Sequence, residues 1–406
     1  MPSNGNKLSI LGYGCMRLPQ KDGKIDVERA EGQVRSAIER GVNYIDTAVP
    51  YHMGASEPFV GNLLAKDGLR ERVFLATKLP HWSMRGPEDG DKILNAQLER
   101  LQTDHIDYYL VHNLNRVSWD RIRELGVLDL LQRAKQDGRI VNAGFSYHGD
   151  RETFPEIVDG FDWDFCQIQY NFLDKRRQAT DEGLRYAASK GLGVVIMEPL
   201  RGGLLARNAP ERVQEIWDKA DVTRTPAEWS LRWIWDHPEV TVVLSGMNDD
   251  EHIDENLRMA DVAEPGSLTD KERELVDRAS KTYQELMRVD CTGCAYCMPC
   301  PAGVDIPTNL DVFNLKHTFG APADMLYMTR VGGILRDPTN ASLCTACGLC
   351  LTKCPQHLPI PDLLEEVTDE FEGLLFKPKR WLIRRVMDFQ RRGLLKASRG
   401  GNDSRS

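Results

Sequence analysis

Eight times between residue 8 and about residue 260, a short apolar run gives way to a segment with helical periodicity. The runs lie at 13–18, 42–48, 73–79, 106–112, 140–146, 165–170, 193–199 and 240–246. The helical patterns lie at 26–40, 56–66, 88–103, 119–137, 151–159, 178–190, 226–236 and 249–260. The runs are rich in β-forming residues and end in Gly, Pro or a polar side chain, as buried parallel strands do. Eight such units without a Gly-x-Gly-x-x-Gly turn predict a closed (β/α)8 TIM barrel rather than a doubly wound sheet.

A barrel of this kind uses about 250 residues, and the chain has 406. The expected layout is a barrel over 1–265, a charged linking helix over 266–289, a cysteine-rich module over 290–361 and a basic helical tail over 362–406. The connection 201–225, beginning Arg201-Gly202-Gly203, is overlong for a compact domain, and loops of that length usually carry function. The tail concentrates Lys377, Lys379, Arg380, Arg384, Arg385, Arg391 and Arg392, an arrangement that fits a solvated helix face or the docking of an acidic partner or anionic surface.

Net charge is −9, which argues against nucleic acid as the principal partner. No apolar run reaches 18 residues and the first residues lack a charged-then-apolar leader. The expectation is a cytoplasmic protein without an integral membrane segment.

Cysteine placement is uneven. Cys15 and Cys166 stand alone, while eight thiols crowd between Cys291 and Cys354. In a chain without an export signal such clustering points to metal. The two segments repeat one another. Cys291-Thr-Gly-Cys294-Ala-Tyr-Cys297-Met-Pro-Cys300-Pro301 is followed by Cys344-Thr-Ala-Cys347-Gly-Leu-Cys350-Leu-Thr-Lys-Cys354-Pro355. The second is the C-x2-C-x2-C-x3-C-P run of bacterial two-cluster ferredoxins, and the first is one residue shorter before its last Cys. Zinc also accepts C-x2-C pairs, but its sites use two pairs rather than runs of four closed by Cys-Pro. In such runs the fourth thiolate serves the neighbouring cluster. One [4Fe–4S] centre is therefore assigned Cys291, Cys294, Cys297 and Cys354, and the other Cys344, Cys347, Cys350 and Cys300. They act either as staples for a small module or as an electron path to a ferredoxin-like or other one-electron carrier.

Within the barrel, four polar groups end neighbouring units: Asp46 and Tyr51 in Asp46-Thr-Ala-Val-Pro-Tyr51, closed by Ser56-Glu57; Lys78 in Ala76-Thr-Lys78; and His112 in Asp107-Tyr-Tyr-Leu-Val-His112. Strand ends at one mouth are where barrel enzymes present catalytic groups. The set resembles the aldo-keto reductase family over about residues 8–260, and the whole chain resembles that family's iron–sulfur branch.

The resemblance implies an oxidoreductase that reduces a small-molecule carbonyl or oxidises an alcohol. Tyr51 is then the general acid, Lys78 and Asp46 its tuning pair, and His112 the group that orients and polarises the carbonyl. It implies NAD(P)H as cofactor, with Gln167 and Ser146 at the nicotinamide amide and Ser245, Gly246, Asn248, Glu255 and Asn256 at the adenosine end; apart from the resemblance, Arg201 in the seventh loop is within reach of a pyrophosphate or a flavin phosphate. Three positions depart from the family. Tyr147 replaces an Asn, Met197 replaces the aromatic that stacks on the nicotinamide, and Asp249 and Asp250 occupy a loop where members preferring NADPH carry Lys or Arg. These departures imply a weakened preference for NADPH, and leave FMN as the alternative cofactor. A flavin couples one-electron clusters to two-electron chemistry. A non-catalytic nucleotide or redox sensor is the remaining alternative.

Overall fold

The parallel strands close on themselves, so the sheet has no edge to protect. In the computed structural model, which describes residues 1–385 apart from 3, 320–322, 335–336 and 384, the strands are β1 (Leu11–Gly14), β2 (Tyr44–Asp46), β3 (Phe74–Leu79), β4 (Ile106–Leu114), β5 (Ile140–Tyr147), β6 (Phe165–Gln169), β7 (Gly193–Met197) and β8 (Val240–Ser245). Each lies beside its successor in the chain, and β8 returns to β1 with Leu11 opposite Val243 and Tyr13 opposite Ser245. This is the expected (β/α)8 barrel.

Two local expectations need correction. The first strand ends at Gly14 rather than running to residue 18, and Cys15–Arg17 form a turn of 3-10 helix. Side chains of a later loop hold that backbone: Ser56 Oγ donates to the Cys15 carbonyl at 3.3 Å, and the Leu18 N–H donates to His52 Nε2 at 3.2 Å. The helical pattern read over 119–137 is two helices, Arg116–Glu124 and Val127–Gln136, parted at Gly126, whose φ of 64° ends a helix easily only in glycine.

The barrel interior is packed. Tyr44, Ala76, Tyr108, Leu110, Phe165, Val195, Val242 and Leu244 form one buried cluster, with the Tyr108 ring 5.3 Å from Tyr44 and 5.1 Å from Phe165. Residues ahead of β1 cover the N-terminal end, where Asn6 Nδ2 donates to the Tyr108 hydroxyl at 3.1 Å and Asn4 Nδ2 to Asn142 Oδ1 at 2.7 Å. The opposite mouth is left to the polar strand ends.

The chain divides into two units, with 1–208 and 216–280 forming the barrel and 209–215 with 281–406 forming the second. In the second, helices Ile306–Phe319, Ala323–Arg330 and Ile360–Phe371 enclose a small core that includes Leu310, Phe313, Tyr327, Val331, Leu364 and Val367. Tyr327 stacks on Phe371 with centroids 4.5 Å apart, and its hydroxyl donates to Glu372 at 2.6 Å. Of the basic tail, Lys377, Lys379, Arg380 and Arg385 are described; Arg384, Arg391 and Arg392 lie outside the described residues. Among the described residues no helix is long and apolar enough to cross a membrane.

The helices Ser56–Leu64 and Glu88–Leu101 touch through Gly61, where an added Cβ would stand 2.3 Å from the Arg100 carbonyl oxygen and 2.8 Å from Leu101 Cα. Both are backbone atoms, so the contact cannot be relieved by a rotamer change. Gly61→Ala is expected to destabilise the barrel by about 1–3 kcal/mol or more, read as a lowered urea midpoint. An unchanged midpoint would show the two helices free to separate.

Candidate functional site

Side chains alternate across a strand, and that period of two carries the interior packing up to the mouth. Tyr44 lies in the barrel core and Asp46 follows two residues later; Ala76 leads to Lys78, Leu110 to His112, Phe165 to Gln167 and Val195 to Met197. Gly144, whose added Cβ would strike the Phe165 ring at 2.4 Å, leads to Ser146 in the same way. The inward position next above the core layer on six strands is thus Asp46, Lys78, His112, Ser146, Gln167 and Met197.

Asp46, Lys78 and Tyr51 come together. Lys78 Nζ donates to Asp46 Oδ1 at 2.7 Å and Oδ2 at 2.8 Å, to the Thr47 carbonyl at 2.9 Å and to the Tyr51 hydroxyl at 3.1 Å. Both charged partners are buried, at 0% exposure for Lys78 and 2% for Asp46. Tyr51 is half-buried and stands edge-on to His112, with centroids 6.3 Å apart. It opens a tight loop in which His52 and Met53 adopt left-handed φ of 51° and 53°. The Leu18 N–H on His52 Nε2, with Gln20 Nε2 3.0 Å from Nδ1, pins that loop.

At the mouth, burial and the partner's charge pull in opposite directions on each group of the pair. Withdrawal from water raises Asp46, with Lys78 pulling the other way, and lowers Lys78, with Asp46 opposing. Tyr51 is held well above the ordinary phenol value, first by its water-poor surroundings and then by the charges of Asp46, Cys15 and Glu198. His112 is held well below its ordinary value by burial, then by Lys78, His148 and His81, so its imidazole is neutral near pH 7.

Two features of the site have no signal in the local sequence. Trp82 packs beside His112 with centroids 5.1 Å apart and is 45% exposed. Behind Lys78, the buried Glu57 accepts from Thr77 Oγ1 at 2.7 Å, from Gln97 Nε2 at 2.7 Å and from Arg100 Nε at 2.8 Å. Gln97 also donates to the Lys78 carbonyl at 3.1 Å and accepts from the Tyr109 hydroxyl at 2.7 Å. The network ties two helices to the back of β3. Its hydrogen-bonded pairs lie 12 to 43 residues apart in the chain, so no single motif shows the pairing.

The remaining candidates are spread around the mouth. Ser146 Oγ accepts the Asn113 N–H at 2.8 Å. Gln167 is buried; its Nε2 lies 3.4 Å from the Met197 sulfur, and its Oε1 has no hydrogen-bond partner among the described residues. An orphaned amide oxygen there suits a ligand amide. After β8, Asn256 Nδ2 donates to Ser245 Oγ at 2.9 Å, Gly246 packs on Arg17, and Asn248 is exposed. Glu255 accepts from Thr225 Oγ1 at 2.5 Å. Arg201 is buried with Nε 3.1 Å from Asp174 Oδ2, so its charge is engaged inside the barrel. Asp249 is paired with Arg29 at 3.0 Å, and Asp250 accepts from Gln33 at 2.9 Å. Arg29 brings a cation to a loop that, read along the chain, held only carboxylates.

In the second unit the module thiols ring two cavities. One is lined by Cys291, Cys294, Cys297 and Cys354 with Ile306, Leu310 and Ile360. The other is lined by Cys300, Cys344, Cys347 and Cys350, with Cys297 on its edge. The fourth thiol of each run crosses to its neighbour's cavity. Among the described residues no three of these side chains close to single-ion spacing. Thiols set around an apolar void fit a cluster several ångströms across, with soft donors of the right number.

Residues 10–281 match the aldo/keto reductase family and residues 290–358 a 4Fe-4S dicluster domain. The chain is 28% identical over 291 residues to L-galactose dehydrogenase of Arabidopsis thaliana, covering 63% of this chain and 85% of that protein. It is 25% identical over 300 residues to NADH-specific methylglyoxal reductase of Escherichia coli, covering 62% and 89%. Among solved structures, the holo form of an aldo-keto reductase from Bacillus halodurans has a TM-score of 0.57 at 26% identity, over 69% of this chain and 94% of that one.

Burial holds two further histidines, His81 and His148, down at about 4. Below the ordinary value of 6.5, the unfolded chain takes up protons that the folded barrel refuses. Stability is therefore present above that value, falls as pH drops, and levels off below about 4. The loss at about pH 5 is ~2 kcal/mol per histidine. Urea midpoints at about pH 7 and about pH 5 are expected to differ less in His148→Asn than in the parent chain. An equal difference would remove His148 from the account.

Proposed function

The chain belongs to the aldo/keto reductase family and carries a 4Fe-4S dicluster domain, and on that premise we propose that its barrel reduces the carbonyl of a small molecule with Tyr51 as the proton donor. The observation that carries this reading is the single lysine shared by Asp46 and Tyr51 beneath His112.

Tyr51 is held as a phenol, the form that can give a proton. In the reducing direction the carbonyl carbon takes hydride while its oxygen takes the Tyr51 hydroxyl proton, leaving a phenolate 3.1 Å from Lys78 Nζ. Lys78 stabilises that charge as it forms, and Asp46 with the Thr47 carbonyl keeps the ammonium from turning away. A charge met by a preorganised donor in a water-poor site is stabilised more than it would be in water. His112, neutral, polarises the carbonyl by hydrogen bonding rather than by charge, and Trp82 beside it gives the substrate an apolar wall.

A bound NAD(P)H supplies the hydride. Gln167, with its unpartnered Oε1, and Ser146 are the groups for the nicotinamide amide; Ser245, Gly246, Asn248, Glu255 and Asn256 are those for the adenosine end. Asp249 and Asp250 disfavour an added 2′-phosphate, Arg29 offsets part of that charge, and a relative bearing the name NADH-specific methylglyoxal reductase agrees with NADH. Met197, in place of an aromatic, keeps FMN as the second reading. The thiol cavities fit two [4Fe–4S] clusters, which would supply one-electron transfer when present, and we take them as a path to an external carrier, with a flavin at the site needed to gather single electrons into a hydride. Clustered thiols and iron–sulfur centres suit a reducing compartment, in keeping with a cytoplasmic location.

Tyr51→Phe is expected to lower kcat/KM for carbonyl reduction by about 10²–10⁴ while NADH binding, followed by fluorescence, stays within twofold or so of the parent. Undiminished turnover would remove Tyr51 from the acid role. Absorbance of the anaerobically purified protein tests the cofactor: flavin bands that survive bleaching of the clusters would replace nicotinamide by FMN at this site.

A further inference from the structure

The two cysteine loops differ in how they meet solvent. In the first, Cys291, Cys294 and Cys297 are half-buried and Thr292 is 3% exposed. In the second, Thr345, Ala346, Cys347, Leu349, Leu351, Thr352 and Lys353 are all exposed. Cys347 is the one exposed thiol of the eight, whereas Cys354, which lines the first cavity, is buried. Leu349 and Leu351 stand 52% and 44% exposed on either side of Cys350, and nothing in the packing of a folded module calls for two leucines in water.

The loop itself carries no carboxylate, the nearest beyond it in the chain being Asp362 and Glu365, exposed on the helix whose Pro361 and Leu364 line the same cavity. No Asp or Glu occurs from 338 to 361, and Lys353 lies within the loop. The neighbouring carboxylate, Glu372, is occupied: it accepts the Ser342 N–H at 3.1 Å, Ser342 Oγ at 2.6 Å and the Tyr327 hydroxyl at 2.6 Å. Those bonds tie the start of the tail to the residues just ahead of Cys344. Beyond Glu372 the tail adds Leu374, 99% exposed, and Leu375, 64% exposed, followed by Lys377, Lys379 and Arg380. Loop and tail thus each carry two exposed leucines with basic residues next in the chain, Lys353 in the one and Lys377, Lys379 and Arg380 in the other, although the overall charge is −9.

We propose that the Leu349–Leu351 face of the second cysteine loop docks a small acidic one-electron carrier protein, so that the cavity of Cys300, Cys344, Cys347 and Cys350, not its neighbour, exchanges electrons with the outside. The inference rests on the reading of the clusters as an electron path. Transient redox partners meet over small interfaces with an apolar centre and a charged rim, and the rim charge sets encounter rate and partner choice. Basic lysines around exposed leucines select an acidic carrier and repel a basic one. The half-buried first loop offers no comparable patch, and the barrier to electron transfer through protein favours the more exposed thiolate.

The test uses the full-length chain reconstituted anaerobically, with an acidic two-[4Fe–4S] ferredoxin as the probe and basic cytochrome c as the contrast. Carbodiimide cross-linking followed by peptide mapping is expected to join ferredoxin carboxylates to Lys353, Lys377 or Lys379. The double variant Leu349→Glu, Leu351→Glu is expected to raise the ferredoxin Kd at least ~10-fold with cluster absorbance unchanged, and Lys92→Glu on the barrel surface to leave it unaltered. Lys353→Glu combined with Lys379→Glu, which leaves both leucines in place, should weaken binding in the same way and decides the matter if the leucine variant loads poorly. An unchanged Kd in both variants, cross-links confined to barrel lysines, tighter binding of cytochrome c, or capture by anionic vesicles in place of ferredoxin would each overturn the proposal. Failure here with carbonyl reduction still dependent on Tyr51 would leave the barrel chemistry standing.

Discussion

A lysine with no exposure, gripped by both oxygens of a buried carboxylate, is the interaction on which the active end of this barrel depends. Removing two such charges from water costs several kcal/mol each, and their attraction offsets that cost only if the geometry is held and the remaining protons are bonded. Here the three ammonium protons have the Asp46 carboxylate, the Thr47 carbonyl and the Tyr51 hydroxyl as acceptors. The pair therefore cannot relax without stranding a charge, and Tyr51 is fixed as its third partner. Rigidity at Lys78 is inherited by the phenol. The Glu57 network performs the same service one layer back, since Gln97 holds the Lys78 carbonyl while Glu57 is satisfied by Thr77, Gln97 and Arg100.

The barrel makes such a site possible for a geometric reason. Each strand alternates between the packed interior and the helical layer, so the residue two beyond the last core position must face the axis. A polar residue there is surrounded by the ends of other strands rather than by water. Asp46, Lys78 and His112 come from three successive strands whose register places Asp46 beside Ala76 and Lys78 beside Leu110. Their convergence follows from parallel pairing and needs no special loop. Tyr51 is the exception, because it belongs to a connection, and the connection needs two left-handed residues and a histidine pin to bring it in.

That distinction explains what the sequence could tell. Strand ends were legible, because period-two apolar runs announce both the strand and the face that its last residue takes. Lys78 and His112 could be placed at the mouth on that basis. The break at Gly126 was hidden because Leu125 and Val127 continue the apolar helical pattern across it, and the early end of β1 because Met16 and Leu18 read as strand although loop side chains claim their backbone. Partners set by folding rather than by neighbours in the chain left no trace: Arg29 beside Asp249, Trp82 beside His112, Gln97 behind Lys78. A lysine in the motif is visible in the sequence, but the depth of the water-poor pocket around the phenol is not.

The two units solve the problem of the thiol in opposite ways. Cys15 and Cys166 are fully buried in the barrel, where burial raises both thiols far above their ordinary value. The module's eight sulfurs instead line cavities in segments with almost no regular secondary structure, between helices whose shared core is small. A loop with few backbone hydrogen bonds and little apolar surface to bury cannot hold its shape on those contacts alone, so metal–thiolate bonds must contribute much of the module's folding energy. Because each run sends its fourth thiol to the other cavity, neither loop can settle without its partner. A module so wired would assemble as one unit on cluster loading, whereas the barrel strands bond in a closed ring around their own packed core.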